Sequence, residues 1–456
     1  MALITRVCVG MIITGIVAAD LPDSELRGDD VPFILPKASG GSKADFIAQG
    51  IIARDSAMQS LENNDMADPR VAQRIKHFVD GMVELGVPLD QVLSGMLLPL
   101  QEVLRIRECD GKGPMCKDGS SSSEQLRAYL SLGKKQLAAS KAAGRTPTYC
   151  ETGFNAGHSA GVFLMLGFRV HSFDIAFNPY TRACAKNYEM IFPGQFVFHA
   201  GDSAKTVAAF ASQEERCDVI SVDGLHTYEM VVADIANFAH VAAPGNTLLV
   251  DDTSKAYMDG ALQRAVDDQA KAGKAIKKGC VELVPRATMR RADVPNGWCV
   301  GSVVPTGGTH ARAVATLSDA ELKGDDMPFD LPDPKTTPKS LFLTMAMLAR
   351  DSAVQGLNNN DMADPRMAKR MRHFVDGATA FGVHLDVVLS ALLLPLQVCW
   401  LGRANARVSA PLSRPAAAVQ PHARARRSCT SSHRRCCALA HSSARTESPT
   451  SVSTAS

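Results

Sequence analysis

The sequence predicts an α/β fold over residues 146–305, flanked by two copies of a small three-helix module. Three observations carry this. Short apolar runs alternate with segments of helical period between Thr148 and Val304, the pattern of βα units around a mostly parallel sheet. A polar or glycine-bearing phrase stands where each run stops: YCETGFNAGHS at Tyr149–Ser159, HSFDI at His171–Ile175, HAGDS at His199–Ser203, VISVDGLHTYE at Val219–Glu229 and LLVDDT at Leu248–Thr253. Outside this region the chain repeats itself. ARDSAMQSLENNDMADPR at Ala53–Arg70 returns as ARDSAVQGLNNNDMADPR at Ala349–Arg366, and GVPLDQVLSGMLLPLQ at Gly86–Gln101 returns as GVHLDVVLSALLLPLQ at Gly382–Gln397. All matched segments are displaced equally and without a gap.

From the N-terminus, residues 1–19 have the form of a secretory signal. Arg6 gives a positive start, Val7–Val17 is mostly apolar, and Val17-Ala18-Ala19 supplies small residues before a cut. This places the mature chain in the secretory pathway or outside the cell; a buried first helix would leave it cytoplasmic. The first module occupies residues 20–108. Its first helix is expected over Lys43–Leu61. Asp68-Pro69 provides an N-cap and a first-turn proline for the second, whose Val71, Ile75, Phe78, Val79 and Met82 follow helical spacing. The third, about Leu89–Arg105, is apolar nearly all round and so should be heavily buried. Asn63-Asn64-Asp65 with Asp68 lacks EF-hand spacing and reads as a solvated turn. A linker and leading helix fill 109–145.

Strands are expected near Thr148–Glu151, Arg169–Ile175, Gln195–Ala200, Asp218–Asp223 and Thr247–Asp251. Helices are expected near Gly157–Leu166, Tyr180–Ile191, Ala204–Ala211, Tyr228–Val241 and Gly260–Ala272. Two last strands, about Cys280–Val284 and Trp298–Val304, flank the polar turn ATMRRADVPNG. A linker at 306–322 leads to the second module, 323–399. Residues 400–456 are rich in Arg, Ser, Ala and Pro and show no structural period, which predicts a disordered basic tail. Formal net charge is +2. That tail carries many arginines and a single acid, Glu447, and the rest of the chain is slightly acidic, so the folded part presents no basic nucleic-acid face. The cysteines suggest a Cys109–Cys116 loop and a Cys280–Cys299 cross-strand pair, and their spacing argues against structural zinc.

Glu151-Thr-Gly153-Phe-Asn155-Ala-Gly157 joins a strand to a helix. Its glycines allow a sharp turn that aims helix N–H groups at a ligand. Asp174, ending the next strand, falls at the same carboxyl edge, where such sheets bind ligands. This order of motifs resembles the class I S-adenosylmethionine-dependent methyltransferases. Glu151 stands where a dinucleotide fingerprint would have its first glycine. The resemblance spans roughly Thr146–Pro305. It implies a Rossmann-like seven-stranded methyltransferase sheet closed by an antiparallel hairpin, with S-adenosylmethionine as cofactor. Glu151, Gly153, Asn155 and Gly157 would shape the methionine pocket, with His158 and Ser159 at the helix start. Asp174 would take the ribose hydroxyls, and Asp202 and Ser203 would border the adenine. A helix cap at Ser159 and a turn at Asp202 are the structural alternatives.

Asp223 ends the fourth strand and Asp251-Asp252 the fifth. Neighbouring strands lie about 4.8 Å apart, so these carboxylates converge at one edge. Clustered carboxylates repel unless a cation sits among them, and hard oxygen ligands suit Mg²⁺ or Mn²⁺. The D-x-x-H phrase and later acidic pair resemble the metal-dependent O-methyltransferases, above all those acting on macrolide sugars. That resemblance implies metal binding by Asp223, Asp251 and Asp252, with His226 as catalytic base toward a small-molecule or sugar hydroxyl. A non-catalytic reading also stands: a methyltransferase-like binding protein whose helical repeats recruit a partner.

Overall fold

A computed structural model describes residues 35–63, 69–109, 121–211, 215–283, 297–306, 316–358, 365–393 and 395–396. The signal-like segment, the basic tail and the Asn64–Asp68 part of the first turn lie outside the described residues. The chain divides into two compact units. One is Ile34–Phe381. In the other, Met1–Phe33 with Gly382–Ser456, the described residues include Leu385–Val388, which leads into a π-helical turn Leu389–Leu393.

The larger unit is built on a seven-stranded sheet: β1 Thr148–Thr152, β2 Arg169–Asp174, β3 Phe196–Ala200, β4 Cys217–Val222, β5 Ala242–Val250, β6 Ala275–Glu282 and β7 Gly297–Val303. Strand order is β3-β2-β1-β4-β5-β7-β6, parallel except for β7. The expected closing hairpin is present, although β6 begins before Cys280. Helices precede and join the strands: α1 Lys43–Glu62, α2 Pro69–Glu84, α3 Leu89–Val92, α4 Leu98–Glu108, α5 Ser123–Ala142, α6 His158–Leu166, α7 Thr181–Ile191, α8 Ser203–Phe210, α9 Tyr228–Phe238, α10 Ala261–Lys271, α11 Asp319–Lys323, α12 Lys339–Asn358 and α13 Pro365–Ala380. No helix among the described residues is long and apolar enough to cross a membrane.

Side chains alternate across each strand, so β1 feeds two cores. Tyr149 faces a cluster holding Phe163, Tyr129, Leu93 and Leu97, whereas Cys150 faces another with Ile220, Phe210 and Phe238. The first cluster runs without a break into the first helical module. Gln101 ties the two together, donating to the Cys184 carbonyl at 3.2 Å and accepting from Asn187 at 3.0 Å.

The expected third helix of the module is present but passes through a π-helical turn at Leu93–Leu97, between α3 and α4. The two module copies fold alike. His77 meets the Pro36 carbonyl at 2.6 Å, and its repeat equivalent His373 meets that of Pro332 at 2.7 Å. Glycine is required at Gly81 and Gly377 for one reason: a Cβ would lie 2.3 Å from Phe46 Cζ and 2.2 Å from Phe342 Cζ. The copies also pack on each other. Buried Arg54 donates to the Gly95 carbonyl at 2.6 Å and to Asp351 at 2.7 Å.

Two cross-strand disulfides join neighbouring strands. Cys280–Cys299 sits at a directly opposed pair of β6 and β7, as expected, and Cys150–Cys217 joins β1 to β4. Cys109 is disulfide-bonded; Cys116, its expected partner, lies outside the described residues.

Candidate active site

The carboxyl edge of β1, β2, β4 and β5 carries most of the expected residues. Glu151 is buried on the module side of β1. It accepts from Tyr149 Oη and Ser172 Oγ, each at 2.7 Å, and from Ser159 Oγ. Burial raises its carboxyl to about 7, although the three hydroxyls favour the ionised form. Ser159 therefore serves Glu151 and is not a helix cap. Gly153 has φ +86°, and a Cβ there would lie 1.9 Å from the Asp223 carbonyl oxygen. Its glycine is required by the close approach of the backbone just after β4. Gly157, at φ 77°, is the N-cap of α6.

Asp174 closes the loop. Its two carboxylate oxygens accept from Asn155 N at 2.9 Å and Ala176 N at 2.6 Å. Asn155 in turn accepts from Tyr180 Oη. His158 is buried and accepts from Ser121 N at 3.4 Å. Burial lowers it to about 4, which keeps it neutral. Asp202 is the N-cap of α8, accepting from Ala204 N at 3.0 Å. Ser203 donates to buried Asp234 at 2.8 Å, and Thr152 holds the other oxygen of Asp234. Asp202 and Ser203 thus also serve the start of α8 and the buried Asp234.

The second constellation differs from expectation in its members. Asp223, His226 and Asp252 each offer one ligand atom, and these atoms lie within 4.8 Å of one another. His226 Nε2 meets Asp223 Oδ1 at 3.2 Å; Nδ1 meets Asp252 Oδ2 at 3.0 Å and Tyr257 Oη at 2.9 Å. Asp251, expected beside the other two carboxylates, turns instead to Gln125, whose Nε2 donates at 2.6 Å. The reason is local geometry. Asp252 adopts φ +52°, and its N–H binds Asp251 Oδ1 at 2.8 Å, so the adjacent side chains diverge.

Burial would lower the His226 imidazole, but the hydrogen bond and charge of Asp223, with Asp252 and Tyr257, lift it to about 11. Without a cation the imidazole between these two carboxylates holds a proton and balances their charge. Burial also raises Asp223 and Asp251, the latter well above the usual carboxylate range with the charges of Asp223 and Asp252 adding to it.

Gln125, Tyr257 and Asp234 escape sequence reasoning. Gln125 lies on α5, outside the strand-end motifs, and only its capping box with Ser122 marks the place. Around the edge, exposed large apolar side chains gather on the loops after β2, β4 and β5: Ile175, Phe177, Leu225 and Met258.

Residues 150–253 match the family described as a methyltransferase domain. With this strand order, the α/β domain is a class I S-adenosylmethionine-dependent methyltransferase domain. Similar solved structures include the O-methyltransferase from Bacillus cereus in complex with SAH, at 16% identity and TM-score 0.35, covering 49% of this chain and 100% of that one. The O-methyltransferase TomG from Streptomyces achromogenes, in complex with SAM, has 13% identity and TM-score 0.35 over 44% and 88%. The N-methyltransferase NodS from Bradyrhizobium japonicum has 17% identity and TM-score 0.29 over 38% and 94%. No curated protein matches the chain.

Proposed function

We propose that this protein transfers a methyl group from S-adenosylmethionine to a hydroxyl of a small molecule, with a divalent cation at Asp223, His226 and Asp252. One observation carries the reading. The donor loop and the cation cluster are in backbone contact, because Gly153 packs directly on the Asp223 carbonyl. A donor in the Glu151–Gly157 loop therefore ends beside the cluster. The residues fit an ion: two carboxylates and an imidazole converge, and in their ion-free state a proton on His226 supplies the positive charge. Oxygen ligands with one nitrogen suit Mg²⁺ or Mn²⁺.

The cation would hold the acceptor oxygen and favour its ionised form. The chain does the rest by positioning. Glu151 and the α6 N-terminus face the methionine portion of the donor, and Asp174 faces the ribose. The acceptor O–H gives up its proton, the new O–CH₃ bond forms as the S–CH₃ bond breaks, and a neutral thioether leaves. His226 is here a ligand. With a cation offsetting the charges of Asp223 and Asp252 that raise it, Asp251 would be ionised and, held by Gln125 at 2.6 Å, would be the proton acceptor. The apolar rim of Ile175, Phe177, Leu225 and Met258 favours an acceptor with an apolar face. The disulfides support a secretory location for the mature chain.

Turnover of a panel of hydroxylated aromatic and glycosidic acceptors in chelator, followed by Mg²⁺ or Mn²⁺ addition, tests the proposal. Metal-rescued methylation on oxygen is expected. Undiminished turnover in chelator would remove the cation, and no donor binding by calorimetry would remove the enzyme.

A further inference from the structure

The mechanism above leaves one cavity unused. It lies between the two copies of the helical module and the start of α5, far along the chain from the strand-end motifs. Its volume is about 50 Å³. One water needs roughly 10–15 Å³ on that measure, so the space suits a few waters or one small ion. Three guanidinium groups line it, those of Arg127, Arg366 and Arg370, against a single lining carboxylate, Asp90.

Arg127 also pairs with Asp325 at 3.7 Å and Arg366 donates to the Met327 carbonyl at 3.1 Å; a buried N–H without any partner is costly. Arg370 spends one nitrogen on Asp90 at 2.9 Å, yet its buried Nε meets no hydrogen-bond partner among the described residues. Gln355 Nε2, on α12, is likewise buried without a partner. Both residues line the same small space, and each carries a buried N–H with nothing to receive it, which is expensive in a folded protein. Ser94, Ser123 and Ser352 add hydroxyls to the wall. Two helices also begin here. Arg366 and Arg370 lie in the first turns of α13, and Ser123 opens α5. Both helix dipoles place positive charge at the cavity.

We propose that this cavity binds a tetrahedral oxyanion, phosphate or sulfate, either free or as the terminal group of a small ester. Planar guanidinium forks match such oxygens two at a time. The repeat itself bears on the idea. Arg366, Arg370, Gln355 and Ser352 have the counterparts Arg70, Arg74, Gln59 and Ser56 in the first copy, so the recognising set belongs to the module and not to the methyltransferase motifs. The site is independent of the methyl donor. It is also close to the active site in structure: Ser123, Leu126 and Arg127 face the cavity from the same turn of α5 whose Gln125 reaches Asp251.

Calorimetric titration of the full chain without methyl donor tests this. Inorganic phosphate and sulfate are added at low millimolar concentration, at ionic strength held constant with chloride, where general salting effects on stability are small. Saturable one-to-one binding of the oxyanions, with none of chloride, is expected. Arg370→Gln and Gln355→Leu should each weaken it by about tenfold or more, while Lys369→Gln, on the same helix but outside the cavity, should bind as the parent does. Gln355→Leu keeps every ion pair, so it remains informative if Arg370→Gln fails to fold. Glucose 6-phosphate in a parallel titration separates the sources: binding equal to phosphate supports an ester group, and binding of the inorganic ions alone supports a free anion. Indifference to oxyanions, or affinities unchanged in both cavity variants, would overturn the proposal.

Discussion

Replacing Glu151 by glutamine probes the electrostatics of the donor loop. In the donor-free protein, burial lifts this carboxyl from 4.5 to about 7, opposed by the hydroxyls of Ser159, Ser172 and Tyr149. A folded value above the unfolded one means that the folded chain holds an extra proton between them. The contribution to stability is complete below pH 4.5 and is lost as pH rises, at about 1.4 kcal/mol per pH unit, levelling above pH 7 at a total of roughly 3 kcal/mol. Glu151→Gln carries no such dependence. Its stability relative to the parent should therefore improve by roughly 3 kcal/mol from pH 4.5 to pH 7.5. Urea unfolding at half-unit pH steps, followed by fluorescence of the buried Trp298, measures this. The cationic methyl donor selects the carboxylate, so donor affinity of the parent should fall about tenfold per pH unit below pH 7 and stay flat in the variant. A stability difference that is constant over this range would refute the buried, proton-holding Glu151.

The cation cluster separates by substitution: Asp252→Asn should weaken Mn²⁺ binding by about tenfold or more, whereas Asp251→Asn should spare it and lower turnover by roughly 10²–10⁴, as read by calorimetry and methyl-transfer assay. Gly153→Ala should yield little soluble protein, because its Cβ would stand 1.9 Å from the Asp223 carbonyl; a folded, donor-binding variant would contradict that packing. Loss of the Cys280–Cys299 bridge through paired serine substitutions should cost about 3 kcal/mol, the scale for a loop of this length, measured by chemical denaturation. Arg54→Met should cost about 1–3 kcal/mol, since Asp351 keeps Arg350 but loses one of its two guanidinium partners and the Gly95 carbonyl loses its donor; an unchanged melting temperature would show that the ion pair is dispensable.

Sequence alone determined the sheet and the edge that carries the candidate site. The alternation of apolar runs with helical segments, and the phrases at their ends, are local properties, and strand ends in a parallel sheet must collect at one edge. Glu151, Asp174, Asp223 and Asp252 were legible for that reason, as were the module repeat and the opposed Cys280 and Cys299. Tertiary structure decided the rest. The pairing of Cys150 with Cys217 depends on β1 and β4 being neighbours, which strand order settles and chain order does not. Asp251 left the ion cluster because one backbone dihedral at Asp252 turned two adjacent carboxylates apart, and because Gln125 arrived from a helix before the sheet. The N-cap role of Asp202 and the hydrogen bond of Ser203 to Asp234 likewise became visible only in the structure. The surroundings of His226 were likewise settled by tertiary structure: the carboxylates on either side of it come from the ends of two different strands.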